Sequence, residues 1–165
     1  MTKLVPPFPW HGGKRRLAPR IWEIIGETNR YVEPFAGSCA VLLARPDPTG
    51  VEIVNDNNHY ISNFWRALKA EPDEIARLCN DPVSEADLHA RHLYLCTQSK
   101  WIHNNIYNIP EWYNCRLAAW WVWGISNWIG AGWCAKGELS NEGTLKVSNK
   151  KPTMTCNRGV VSVAE

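Results

Sequence analysis

None of the six cysteines (Cys39, Cys79, Cys96, Cys115, Cys134 and Cys156) forms a Cys-x-x-Cys pair, and no histidine is paired with them at zinc-finger spacing. Reduced, buried thiols in a cytosolic protein are therefore expected, rather than a disulfide framework. His89 and His92 stand three apart, with no cysteine or second acid expected to join them, so no metal site is expected. Met1 to Pro9 holds one lysine and no long apolar run, so no secretory leader is expected. Charge of one sign is also lacking. A formal net charge of +2 is too small to argue for nucleic acid by itself. There are no internal repeats. The most apolar stretch, Leu117 to Trp133, is interrupted by Ser126, Asn127 and glycines and falls short of the roughly 18–20 residues of a membrane span. A buried helix is the expectation there, and no membrane partner.

What is present is tryptophan: ten in 165 residues, with six of them (112, 120, 121, 123, 128 and 133) between 112 and 133. Hydrophobic residues at 45% and charged residues at 21% describe a globular chain long enough to bury a core. Positive residues cluster at Lys14, Arg15, Arg16 and Arg20, and again at Lys146, Lys150, Lys151 and Arg158. Each cluster is either a phosphate-tracking surface or a solvated basic face.

Periodicity predicts a helix over 14–25, carried by Leu17, Ile21, Trp22 and Ile25, with Pro19 near its start. Residues 30–35 form a short β-prone run, 39–44 a short apolar helix, and 45–50 a turn-rich link. Val51 to Val54 is a second strand. A helix follows, with Tyr60, Ile61, Phe64, Trp65 and Leu68 on one side, and Glu74 to Cys79 add another turn or two. Strand, helix, strand, helix at this spacing opens a parallel α/β sheet. Ser84 is placed to cap a helix reaching about Lys100; 101–109 is expected to be irregular, with Pro110 opening a tryptophan-rich helix to about Trp128. The expected organisation is an α/β part over 1–80, a helical insertion over 81–130 and a polar tail over 131–165.

Two loop-to-helix entries carry the candidate chemistry. Phe35-Ala36-Gly37 lies at a strand end, where a nucleotide-like ligand rests against backbone in a doubly wound sheet. Asp56 follows Gly37 by 19 residues, close to the spacing at which an acid takes ribose hydroxyls. Asp56 is otherwise a turn residue or helix cap. Upstream, Trp10-His11-Gly12-Gly13-Lys14 frees backbone N–H groups for an anionic group, with Lys14 to pair a carboxylate and Trp10 to offer a ring face. The plainer alternatives are a core tryptophan and a solvated lysine.

Phe8-Pro9-Trp10-His11-Gly12-Gly13-Lys14, Tyr31-Val32-Glu33-Pro34-Phe35-Ala36-Gly37-Ser38, Val54-Asn55-Asp56-Asn57-Asn58 and Phe64-Trp65-Arg66-Ala67-Leu68-Lys69, in this order and spacing, resemble the Dam-type adenine-specific DNA methyltransferases. The likeness is firm over about residues 5–70. It implies a partial Rossmann-like methyltransferase fold with a helical insertion, S-adenosylmethionine as cofactor and DNA as partner. It also implies cofactor contacts from Trp10, Lys14, Glu33, Phe35, Gly37 and Asp56, and the start of a target-recognition region in the tail. Cys39 departs from the family, which usually has glycine there, and its side chain is expected to crowd the methionine portion. A larger departure is the Asp-Pro-Pro-Tyr loop that holds the flipped adenine in this family. Asp-Pro occurs only at Asp47-Pro48 and Asp81-Pro82, neither continues as Pro-Tyr, and both read as turn starts. No catalytic residue is therefore assigned. The expectation is a truncated or split enzyme, inactive alone, completed by a C-terminal half that carries the missing motif. The alternative is a non-catalytic cofactor- or DNA-binding module docking on a partner through an exposed tryptophan face.

Overall fold

The computed structural model of the chain describes residues 4–47, 49–130 and 132–134. They contain α1 (Ala18–Ile25), β1 (Arg30–Glu33), a 3-10 turn (Leu42–Ala44), β2 (Val51–Val54), α2 (His59–Ala70), α3 (Pro72–Cys79), α4 (Glu85–Asn108) and α5 (Cys115–Asn127). The chain divides into two compact units, Met1–Ser62 and Asn63–Glu165.

In the first unit β1 and β2 pair in parallel, with Arg30 opposite Val51 and Glu33 opposite Val54. Parallel strands need a crossover, and here the segment between them supplies it with a 3-10 turn instead of the expected helix over 39–44. Pro19 stands in the first turn of α1, where its missing N–H costs nothing. The helix accordingly starts at Ala18 rather than at Lys14. Trp22 anchors this unit: its ring lies 4.8 Å from that of Tyr31 and its Nε1–H donates to the Val41 carbonyl at 2.7 Å. Ala18 and Val41 complete the buried cluster, while Leu17 and Ile25, expected on the same face, are largely exposed. The sheet is only partly covered. Val32, Val51, Ile53 and Val54 all remain exposed, whereas parallel strands are ordinarily buried on both faces.

The second unit is helical. Ser84 caps α4 as its sequence position indicates, its Oγ accepting from the Asp87 N–H at 3.1 Å. The helix then continues through 101–108, expected to be irregular, because Leu88, Leu95, Ile102 and Ile106 form one continuous buried stripe. Tertiary packing overrides the weak helix propensity of the Asn-rich segment. Helix α5 starts at Cys115, not at Pro110, with Asn114 as its cap. The tryptophan-rich region forms the core of this unit. Trp121, Trp123 and Trp133 are buried, and the indole of Trp133 packs where Gly124 has no Cβ. Trp112, Trp120 and Trp128, the other tryptophans of the region, are half-buried. No helix among the described residues is long and apolar enough to cross a membrane.

Two part-buried polar arrangements hold the helices. Arg91 lies over the Trp123 ring at 4.2 Å and pairs with Asp81 at 2.7 Å, while Trp123 Nε1–H donates to the Asp81 carbonyl. Asp81-Pro82 thus serves the loop before α4, in keeping with a turn start. Asp47, the other Asp-Pro residue, accepts from the Thr49 N–H. Asn63 is buried and bonds Asn114 twice: its Nδ2 donates to the Asn114 carbonyl (3.1 Å) and its Oδ1 accepts from the Asn114 N–H (2.7 Å). Replacing Asn63 with Leu strands the Asn114 N–H, while the Asn114 carbonyl keeps its bond from the Ala118 N–H. A buried unsatisfied group costs about 1–3 kcal/mol, so denaturant unfolding of Asn63→Leu should show a loss of that order. An unchanged midpoint would count against this reading of the pair.

Candidate functional site

The first unit carries an open cleft of about 290 Å³, near the lower end of ligand-pocket sizes. Three segments build it: the Trp10–Lys14 turn, the loop after β1, and the end of β2. In the first, Gly13 N–H closes a turn onto the Trp10 carbonyl at 2.9 Å, with Gly12 taking the positive φ (+74°) that the turn demands. In the others the chain continues in register past the strands: Asn55 N–H donates to the Glu33 carbonyl and Ala36 N–H to the Asn55 carbonyl, both at 2.9 Å. The two strand ends are thus tied where the cleft begins.

Five of the six residues named from the sequence line this cleft: Trp10, Lys14, Glu33, Phe35 and Asp56. The sixth, Gly37, shapes it from behind. Gly37 is buried with φ +50°, and a Cβ on it would stand 2.5 Å from Trp10 Cδ1 and 2.7 Å from Nε1. Only glycine permits the indole to lie so close to this loop. The 19-residue interval between Gly37 and Asp56 is a direct contact: the Gly37 N–H donates to Asp56 Oδ2 at 2.8 Å. Asp56 Oδ1 accepts from the Asn58 N–H at 2.9 Å. Asp56 is therefore also the turn residue of the plainer alternative. The two roles are compatible, since a carboxylate has about four acceptor sites.

Glu33 is buried, and burial holds its carboxyl above the usual range, although the Leu42 N–H donates to it and Lys14 lies near. Its neighbour Tyr31 is raised as well, by burial first and then by Glu33. The floor of the cleft thus favours a proton or a cation beside Glu33. Phe35 is 79% exposed at the rim, and Lys14 is exposed with Arg15, Arg16 and Arg20.

Cys39 behaves differently from the expectation. It is 2% exposed and is not among the residues lining the cleft. Its departure from glycine lies in the backbone, where its φ of +52° is the left-handed conformation that glycine takes without penalty. Burial, then Glu33 and Asp56, push its thiol up to about 12, so it stays neutral. Ser38 and Ala40, which flank it, do line the cleft and were not named from the sequence. Their only signal was membership in the loop after Gly37.

The second unit corrects the reading of His92. Cys96 and Cys134 both join it, with ligand atoms of all three within 4.8 Å of one another. His89 is directed elsewhere, to Glu85 at 3.8 Å. The basic residues 146–158 and Cys156 lie outside the described residues.

Comparison with known proteins identifies the family of the chain. The family model of the D12 class N6 adenine-specific DNA methyltransferases matches residues 10–122. The Type II methyltransferase M1.LlaDCHI of Lactococcus lactis subsp. cremoris is 31% identical over 97 residues, which cover 58% of this chain and 32% of that protein. The chain thus spans about a third of the length of this curated relative. No solved structure matches it. The match begins at the tryptophan of the cleft turn and runs through both strands and into α5. The chain belongs to the D12 class of N6 adenine-specific DNA methyltransferases.

Proposed function

We propose that the chain forms the S-adenosylmethionine-binding part of an enzyme that methylates the exocyclic amine of adenine in DNA. The observation that carries this reading is the convergence of Trp10, Lys14, Glu33, Phe35 and Asp56 on one cleft, with Gly37 tied to Asp56 at its base.

The donor set suits a zwitterionic nucleoside cofactor. Lys14 meets its carboxylate, and Asp56 accepts from the ribose hydroxyls with the lone pairs left over from the two backbone N–H groups. Trp10 and Phe35 offer aromatic surface to the adenine. Glu33 sets negative charge beside the cationic end. When bound, S-adenosylmethionine supplies an electrophilic methyl group. The protein's part is positioning, which accounts for much of the barrier reduction in a transfer between two bound reactants. Exposed Arg15, Arg16 and Arg20 adjoin this turn and suit DNA phosphates.

We further propose that the chain does not methylate alone. Its sequence contains no Asp-Pro-Pro-Tyr to hold a flipped adenine. Its two-stranded parallel sheet leaves apolar side chains of both strands exposed, as a Rossmann-like sheet does when further strands are to be added. Residues 1–80 then act as the cofactor part, 81–130 as the helical insertion and 131–165 as the beginning of target recognition.

Calorimetric titration of the purified chain with S-adenosylmethionine tests the first claim. Saturable binding is expected, weakened about tenfold or more by Lys14→Ala, since a charge-assisted contact is worth roughly 1.5–3 kcal/mol. No binding, or binding indifferent to Lys14, would overturn it. Methyl transfer to adenine-containing DNA by this chain without a second polypeptide would overturn the claim of incompleteness.

A further inference from the structure

We propose that His92, Cys96 and Cys134 form a binding site for a single zinc-type divalent ion, which clips the loop after α5 onto α4. The site lies wholly in the second unit and is independent of the cofactor cleft.

Three features bring the donors together. His92 and Cys96 are four apart on α4, so one helix face presents both; Cys96 Sγ is 3.8 Å from His92 Nε2. Cys134 comes from the segment after α5, and Trp133 fixes where it lands. The Trp133 indole fills the space over Gly124, and its Nε1–H donates to the Trp121 carbonyl at 3.0 Å. The next residue is thereby held over α4. Its backbone N–H reaches His92 Nδ1 at 3.4 Å. The third feature is the aromatic surround. Trp128 stacks on the His92 ring at 4.8 Å and 18°, and Trp133 lies 5.1 Å from it. Stacking of this kind fixes the orientation of the imidazole beside the two thiols.

The distances suit a metal better than a chance meeting of side chains. All three donor atoms lie within 4.8 Å of one another, and donors around a tetrahedral zinc ion stand about 3.5–3.8 Å apart. Closing the remaining gap takes small side-chain rotations. Two thiolates and one imidazole are a soft, nitrogen–sulfur set that selects zinc over magnesium or calcium. A solvent molecule completes the tetrahedron. On binding, each coordinating thiol gives up its proton, and the imidazole carries its own on Nδ1 so that Nε2 can coordinate. The long contact from the Cys134 N–H to Nδ1 is then released.

The test uses the full chain, reduced and freed of metal, titrated with cobalt(II) as a spectroscopic probe and then with zinc(II). One equivalent of cobalt should bind with thiolate-to-metal charge-transfer absorption, and zinc should displace it. Cys96→Ser and Cys134→Ser should abolish that band, and Cys115→Ser should leave it intact. Should the first two variants fold poorly, alkylation of the unaltered chain decides. Zinc should slow modification of Cys96 and Cys134 at least tenfold and leave Cys115 unchanged. Equal alkylation rates with and without zinc, or a cobalt band that survives Cys96→Ser, would overturn the proposal. So would a purified chain in which Cys96 and Cys134 are joined as a disulfide and which, once reduced, takes up no metal.

Discussion

Gly37→Ala should reduce S-adenosylmethionine affinity at least about a hundredfold and lower the stability of the chain by roughly 2–4 kcal/mol. Two costs add. A non-glycine residue at φ +50° is penalised by about 1 kcal/mol or more. The new Cβ would also stand 2.5 Å from Trp10 Cδ1, inside any tolerable contact. Overpacking of that kind costs about 1–3 kcal/mol when neighbours shift, and here the neighbour is an indole that itself walls the cleft. The protein can relieve the clash by displacing Trp10, which spoils the binding surface, or by moving the loop, which breaks the bond from Gly37 to Asp56. Either way binding falls. Denaturant unfolding together with calorimetric titration measures both quantities. A variant that binds and unfolds like the parent would show that Trp10 does not need this close approach.

Asp56→Ala carries the second large effect. The carboxylate accepts from Gly37 and Asn58, so its removal leaves two loop N–H groups without their partner and takes away the proposed ribose acceptor. Hydrogen bonds to a charged group contribute about 1.5–3 kcal/mol each. Cofactor affinity should therefore fall by about two orders of magnitude, each about 1.4 kcal/mol. Asp56→Asn separates the two roles. Its single amide oxygen can keep only one of the backbone bonds, and its NH₂ group faces the other donor. Intermediate affinity with a smaller loss of stability than in Asp56→Ala is expected if the acid mainly serves the ribose. Equal losses of stability and affinity in both variants would indicate that Asp56 acts through the loop alone. Parental affinity in Asp56→Ala would remove it from the site.

The cleft was legible in the sequence because its parts are local. A glycine turn before a helix, a loop at a strand end and an acid after the next strand each occupy a few consecutive residues. The parallel pairing of β1 and β2 brings their C-terminal ends together without further information. Hence Trp10, Lys14, Phe35 and Asp56 stand out from local pattern and Glu33 from the family resemblance, and the interval from Gly37 to Asp56 is a hydrogen bond. Cys39 was expected to crowd the ligand, whereas its side chain is buried away from the cleft lining. Sequence position shows which residue stands where glycine is usual. It does not show whether the side chain turns toward the ligand or, as here, into the protein while the backbone takes the positive φ.

The second unit shows where local reading ends. The tryptophans announced a buried helix, and that was legible from composition alone. The extension of α4 through Asn108 was not, because the stripe of Leu95, Ile102 and Ile106 outweighs weak local propensity only once α4 is packed. The meeting of Cys134 with His92 was equally hidden, since it depends on Trp133 seating over Gly124. By itself, then, the sequence determined the order of strands and helices through short-range pattern, and the residues of the cleft through short motifs and their resemblance to a family. Only the tertiary structure decided how far the helices run, which way Cys39 faces and which cysteines join His92. Each of these turns on a side chain filling a space made by residues distant in the chain.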